Sequence, residues 1–188
     1  MILNDIDIRK PLINFLNKKV PKPLKIIEEL RVHNGNAIAD IVTVHKTMHC
    51  YEIKGDNDNI YRAIEQGNFY NKSFPKITLV TTEKYANTSV NKIPHFWGII
   101  IVSYHNGNVN FRYLRKAKYN PLMEKKSALL SLWKDELIDI ANELSVETIR
   151  KSFNREKYAD EISKSITFEK LQNCMSSKIA NRTLKVDW

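Results

Sequence analysis

Apolar residues first recur at helical spacing and then at the spacing typical of strands. Residues 5–17 carry apolar side chains three or four positions apart, which predicts a helix that ends before Pro21. Residues 37–44 and 48–54 are rich in β-branched residues and predict strands. Residues 26–32 fit a strand or a helix, and we favour a strand. Together these segments predict an antiparallel meander.

The pattern then changes to a helix followed by buried strands. Residues 60–72 are apolar at positions i, i+3, i+4 and i+7, with Asp58 as the expected N-cap. Residues 76–82 and 98–104 predict buried strands, and a turn signal joins the second to a hairpin partner at 109–114. The predicted order is α-β-β-β-α-β, followed by more β structure.

The last third of the chain has a helical pattern. Residues 129–144 predict one long amphipathic helix, and two or three shorter helical segments follow it. We therefore predict an α/β domain over residues 1–120 and a helical appendage, packed on that core, over residues 121–188.

Charge and composition narrow the class of partner. The 188 residues are 43% hydrophobic and carry a net charge of +9, and residues 1–115 hold 16 basic and 10 acidic residues. This excess favours an acidic partner such as a nucleic acid, but charge alone does not separate a nucleic-acid enzyme from a ribosome-associated protein or a basic soluble domain. A homodimer is also compatible with these features. The two cysteines lack zinc-like spacing, no signal peptide is visible, and the longest apolar run has four residues. These features predict a cytoplasmic protein without membrane contact.

Two carboxylates and a lysine stand where the predicted strands meet. Glu52 and Lys54 share one face of the third strand because side chains alternate along a strand. If the second and third strands are neighbours, Asp40 approaches Glu52, and such a carboxylate pair suits Mg²⁺. Lys54 could then orient a metal-bound water. Glu29 could supply a third carboxylate, although Glu28 competes if that segment is helical.

The following helix could complete this group. Gln66 and Tyr70 lie four residues apart and therefore on one helix face, with Arg62 one turn earlier. The acid-x-Lys pattern is weak by itself, since it also occurs at Glu124 to Lys126. Only the first occurrence has a strand aspartate upstream, so its context favours a site.

Each of these residues also has a structural interpretation. Asp40 and Glu52 could be edge-strand charges, Lys54 only their ion-pair partner, and Gln66 with Tyr70 a helix surface pair. Two further segments also allow both a functional and a structural interpretation. Lys18, Lys19, Lys22 and Lys25 fit a phosphate-tracking loop or a soluble linker. Residues 139–150, with Ser145 as a cap, fit a helix-turn-helix or packing helices of a bundle.

The arrangement resembles the PD-(D/E)xK nuclease superfamily, which has the restriction-endonuclease-like fold, and a bacterial and phage family within it. The resemblance covers nearly the whole chain and rests on Asp5 to Arg9, Glu29-Leu30, Gly35 to Asp40, Tyr51 to Asp58, Arg62 to Tyr70, Trp97-Gly98, Leu132-Trp133 and residues 182–188. Ala39 stands where the proline that gives the motif its name would be, a variation that the superfamily tolerates.

The resemblance implies a Mg²⁺-dependent core, with Mn²⁺ as a substitute, that hydrolyses DNA phosphodiester bonds by a water nucleophile. The implied metal ligands are Asp40, Glu52, the Ile53 carbonyl and Glu29. The implied catalytic set is Asp40, Glu52, Lys54, Gln66 and Tyr70. We therefore expect an α/β restriction-endonuclease-like nuclease with a C-terminal helical region, acting in phage–host conflict or DNA processing, with its basic excess flanking the acids. The alternative is a non-catalytic nucleic-acid-binding or adaptor protein with a nuclease-like fold.

Overall fold

A single six-stranded mixed sheet organises the molecule. The computed structural model describes residues 2–182, and within them the strands are β1 (Lys25–Val32), β2 (Ala37–Val44), β3 (Met48–Lys54), β4 (Lys76–Thr82), β5 (Gly98–His105) and β6 (Asn108–Arg115). The helices are α1 (Asp5–Asn17), α2 (Ile60–Ser73), α3 (Ala86–Lys92), α4 (Lys125–Leu129), α5 (Lys134–Glu143), α6 (Arg155–Ser165) and α7 (Phe168–Asn181).

The strands lie side by side in chain order, β1 to β6. β1, β2 and β3 form the predicted antiparallel meander, β3, β4 and β5 are parallel, and β6 closes an antiparallel hairpin with β5. Parallel neighbours require crossover connections, and α2 and α3 supply them. The mixed α/β class and the predicted strands are confirmed.

Hydrophobic layers cover both faces of the sheet. On one face, α1 buries Leu12 and its neighbours against Ile41, Ile53 and Val80. On the other face, α2 and the C-terminal helices share one hydrophobic cluster with the sheet. The helices after residue 120 are therefore packed on the core, while their separation as a domain stays a prediction.

The start of α2 differs from the prediction. Its N-cap is Asn59, whose side chain accepts a hydrogen bond from the Tyr61 N–H at 2.9 Å. Asp58 instead accepts from the Gly55 N–H at 2.7 Å. Asp58 therefore stabilises the preceding turn, and the predicted cap was one residue early.

The long helix predicted over 129–144 is wrong, because α4 and α5 are separate. Residues 130–133 interrupt the helical backbone, and the Trp133 N–H donates to Glu136 Oε2 at 2.7 Å to begin α5. Ser145 has a φ of +51° and begins no helix, and α6 starts only at Arg155. A helix-turn-helix joins its helices by about three or four residues, so 144–154 is too long a connection.

The search for membrane spans gives a negative result. Between Ile2 and Arg182, no helix is long and apolar enough to cross a membrane.

The packing of α1 generates a stability prediction. Leu12 is fully buried between α1 and the sheet, so Leu12→Ala removes apolar contacts and leaves a cavity. We expect a loss of about 2–5 kcal/mol in the free energy of unfolding, measured by urea denaturation. Lys10→Ala, on the exposed side of the same helix, is the control and should change it by less than about 0.5 kcal/mol. Equal losses in both variants would contradict this packing.

Candidate functional site

Three acidic residues form a row across the first three strands. In the β1–β2 register, Glu29 lies opposite Asp40, between the paired positions on either side. The β2–β3 register, extended by one residue beyond its last pair, puts Asp40 opposite Glu52. Side-chain exposure falls along the row, from 60% at Glu29 to 19% at Asp40 and 1% at Glu52. The sequence-predicted acids are therefore brought together, and we call them the acid row.

Glu52 lies at the buried end of the acid row. Its Oε1 is 2.5 Å from the Lys54 ammonium, and its Oε2 is 2.8 Å from the Tyr70 hydroxyl. The same hydroxyl lies 2.7 Å from the Ile38 carbonyl oxygen, and its one proton serves one acceptor at a time. Lys54 thus neutralises a carboxylate that burial would otherwise make costly.

Asp40 lies where the β2–β3 ladder opens. Its Oδ2 accepts a hydrogen bond from the Ile53 N–H at 2.7 Å, and its Oδ1 is 3.3 Å from the Arg9 guanidinium. Burial, followed by the charge of Glu52, raises the pKa of Asp40 to about 7. The side chain therefore takes the place of a strand-to-strand hydrogen bond at this point.

Arg9, on α1, is the cation that joins the exposed part of the acid row to the helix. Its guanidinium donates to both oxygens of Asp5 at 2.7 and 3.0 Å, to the Asp40 carbonyl oxygen at 3.1 Å, and lies 2.9 Å from Glu29 Oε1. The hydrogen bond with Asp5 outweighs desolvation and raises the pKa of Arg9 further. Arg9 is charged at every relevant pH and fixes α1 to β1 and β2.

Gln66 is the predicted site residue that contacts none of the acids. It is half-buried on α2, and its side chain makes no hydrogen bond within the part of the chain that the structure describes. Tyr70, four residues later, reaches Glu52. Of the predicted helix pair, only Tyr70 therefore contributes to the acid row.

The carboxylates of Asp40 and Glu52 are paired with groups of the chain itself. Each oxygen of Asp40 and Glu52 has a donor or cation from the chain within 3.3 Å. A carboxylate oxygen has two lone pairs, so one such contact leaves a second for Mg²⁺ at about 2.0–2.1 Å. Across residues 2–182, no three His, Cys, Asp or Glu side chains are grouped to hold a metal. The Mg²⁺ ligands, including the Ile53 carbonyl, stay a prediction.

Comparison with known proteins assigns the family. The model of the family described as bacteriophage P4 protein cII matches residues 2–186. The chain belongs to this family. Protein cII of Enterobacteria phage P4 is 25% identical over 185 residues, which cover 96% of this chain and 68% of that protein. A solved protein of unknown function from Silicibacter pomeroyi has a TM-score of 0.41 at 11% identity, over 68% of this chain and 84% of that one.

Membership of the P4 cII family overturns the predicted function. The family model and the curated relative that the chain matches are both described as protein cII of phage P4, and neither description names a nuclease. The prediction of a metal-dependent nuclease or hydrolase, acting in phage–host conflict or DNA processing, is therefore wrong. Of what the PD-(D/E)xK resemblance implied, the phage family and the mixed α/β fold are confirmed. Membership of the nuclease superfamily is not. Residues 183–188, which contributed to it, lie outside the described residues.

Arg9 is the important residue of this P4 cII relative that the sequence-based prediction missed. Asp5 and Arg9 are four residues apart on α1, a spacing that pairs opposite charges on one helix face. That signal was present in the sequence. The contacts of Arg9 with Asp40 and Glu29 could not be predicted from the sequence, because they depend on how α1 packs on the sheet.

The raised pKa of Asp40 predicts a pH-dependent stability. Unfolded Asp40 ionises near its ordinary pKa of 3.8, whereas folded Asp40 holds its proton up to about pH 7. Between these values the folded state binds more protons, so this contribution to the free energy of unfolding is lost as pH rises through 7. The Asp40→Asn variant has no titrating group at this position and lacks this pH-dependent contribution. Urea denaturation of both proteins at pH 5 and pH 8 measures it.

The comparison uses the free energy of unfolding of each protein. We expect the wild type to lose more of it than Asp40→Asn does between pH 5 and pH 8. An identical change in both proteins would contradict the assignment of this titration to Asp40.

Proposed function

We propose that this P4 cII relative is a non-catalytic nucleic-acid-binding protein built on a restriction-endonuclease-like fold. The observation that carries the proposal is that every oxygen of Asp40 and Glu52 already contacts a donor or cation of the chain within 3.3 Å. In a hydrolytic site such carboxylates position a cation or a water. Here they hold strands and helices together instead.

The positions of these side chains favour a nuclease-like fold that has changed its use. Asp40, Glu52 and Lys54, the residues that resemble the motif, lie at the point where the β2–β3 pairing ends. Arg9 and Lys54 supply the positive charge that a buried acidic group requires. The acid row is then a structural element, and it makes the sheet edge resemble a catalytic centre without providing one.

The partner follows from the charge of the chain. The net charge is +9, and 16 basic residues against 10 acidic ones lie in residues 1–115, which form the sheet and its crossovers. Such an excess attracts a phosphate backbone over distances set by the ionic strength. DNA is the first candidate, and an adaptor role, in which the protein brings DNA to other proteins, is compatible with this charge.

Binding without cleavage is the direct test of this function. We expect the full chain to bind labelled DNA in fluorescence anisotropy at 50 mM salt in the presence of EDTA, without a divalent cation. The DNA should be recovered at full length after incubation with Mg²⁺, because the proposed role of Asp40 and Glu52 is structural. Affinity should fall steeply between 50 and 200 mM salt.

Two outcomes would contradict the proposal. Absence of binding to DNA and to RNA at 50 mM salt would remove the nucleic-acid partner. Mg²⁺-dependent cleavage that is lost in Lys54→Ala would contradict the non-catalytic role, whereas cleavage that persists in that variant comes from a contaminant.

The neutralised acid row also predicts how the chain responds to metal. The melting temperature of the wild-type protein should change by less than about 1 °C with 1 mM Mn²⁺, because Arg9 is already paired with Asp40 and Glu29. Arg9→Met frees Asp40 and Glu29, so Mn²⁺ should raise the melting temperature of that variant by about 3 °C or more. Differential scanning fluorimetry measures both.

Lys10→Met is the matched control, since it removes one exposed positive charge from the same helix. It should respond to Mn²⁺ as the wild type does. A wild type that Mn²⁺ stabilises, with the effect lost in Asp40→Asn, would show that the acid row holds a metal and would contradict its structural role.

A further inference from the structure

A cleft opens at the end of the sheet opposite the acid row. Its volume is about 590 Å³, and its lining comes from the α1–β1 loop, the β2–β3 turn and the first residues of β3 and β4. Along β3, Glu52 of the acid row comes three positions after His49 of the cleft, about 10 Å at the rise of a strand. The expectation that the basic excess flanks the acids is therefore not met by the lysines of this cleft.

Four lysines line the cleft: Lys19, Lys22, Lys46 and Lys76. No carboxylate of residues 2–182 lies within 4 Å of any of these ammonium groups, whereas Lys54, Lys126 and Lys178 elsewhere are paired. No acidic residue contributes to the lining. We call this site the lysine cleft. Among residues 2–182, its four ammonium groups have no carboxylate partner.

The side chains around the lysine cleft show that its positive charge is concentrated and partly fixed. The Lys19 ammonium lies 3.9 Å from the centre of the Phe15 ring and 4.9 Å from that of Tyr113, which restricts its position. Burial and then the nearby Lys76 lower the pKa of His45. Cations held in place before a ligand arrives lose less entropy on binding it.

His49 gives the lysine cleft a rigid, uncharged floor. Burial, then Lys76 and His45, lower its pKa to about 3, so the imidazole is neutral. Its Nε2 lies 2.7 Å from Thr78 Oγ1 and its Nδ1 lies 3.2 Å from the Tyr51 hydroxyl. Exposed apolar side chains, Val20 and Leu24, form part of the wall. The cleft thus offers both cations and apolar surface.

We infer that the lysine cleft binds the phosphates of an unpaired nucleic-acid strand. This inference rests on the proposed function and names its binding site. The volume of the cleft lies within the usual range of ligand sites, about 300–1,000 Å³. Single-strand sites combine a positively charged groove with apolar or aromatic surface, and both are present here.

The inference also gives a role to the basic run between α1 and β1. Lys19 and Lys22 line the lysine cleft, as a phosphate-tracking loop requires. Lys25 does not, because its ammonium donates to the Ala180 carbonyl oxygen at 3.1 Å. Lys46 and Lys76, which are distant in the sequence, complete the set. The phosphate-binding interpretation of this run is favoured over a linker.

The test uses the full chain and fluorescein-labelled 12-nucleotide single-stranded DNA, the same sequence as RNA, and the 12-base-pair DNA duplex. The double variant Lys22→Glu with Lys46→Glu reverses two exposed charges of the lysine cleft. Lys92→Glu with Lys151→Glu makes the same change in net charge at exposed positions outside its lining. Circular dichroism checks that both double variants keep the wild-type fold.

We expect the cleft variant to bind the single strand about tenfold more weakly or worse, and the control variant to change the affinity less than about twofold. For the cleft variant, the slope of log affinity against log salt concentration should become shallower by roughly 1.4. Each of the two lost phosphate contacts contributes about 0.7 to this change. Lys22→Arg with Lys46→Arg should retain wild-type binding, because the charge is kept.

The outcomes separate this inference from the proposed function. If the wild type binds the single strand and the two Glu double variants lose equal affinity, the lysine cleft is not the binding site. The proposed function would still stand. A duplex that binds more tightly than the single strand would overturn the unpaired strand as ligand. A wild type that binds none of the three probes would overturn the proposed function and this inference together. The DNA and RNA probes distinguish the two sources of phosphate.

Discussion

The contacts of the Arg9 guanidinium decide what the rest of the site can be. This one side chain lies within 3.3 Å of oxygens of Asp5, Asp40 and Glu29, and so joins α1 to two strands. Three clustered carboxylates without a cation would repel one another and favour protonation or unfolding. Arg9 and Lys54 lower that cost without removing it, since burial and the charge of Glu52 still raise the pKa of Asp40 to about 7. Every oxygen of Asp40 and Glu52 contacts a donor or cation of the chain.

The two ends of the sheet therefore have opposite electrostatic characters. At one end acids are paired with cations of the chain, and at the other four lysines have no carboxylate partner among the described residues. A nuclease would need its cation-binding acids and its phosphate-binding lysines at the same place, so that the phosphate meets the metal. Their separation along β3 is what the proposed binding without cleavage requires.

The sequence was most informative about elements and least informative about contacts between them. Strand positions followed from β-branched runs, and the acid row followed from alternation along β2 and β3. The break between α4 and α5 was not predicted, since apolar spacing continues through Leu132 while the Trp133 backbone is held by Glu136. The lysine cleft was out of reach for a similar reason, because Lys19, Lys46 and Lys76 meet only after the sheet has formed. The functional class was predicted wrongly because a motif records residue positions and not the cations that occupy them.

The most direct measurement is a crystal structure of the full chain grown with a short single-stranded DNA and Mn²⁺, with anomalous diffraction used to locate the metal. The structure described above predicts DNA phosphates at Lys22 and Lys46, Arg9 still between Asp40 and Glu29, and no manganese peak at the acid row. A manganese peak bound by Asp40 and Glu52, with Arg9 displaced and a DNA phosphate beside Lys54, would contradict the non-catalytic account.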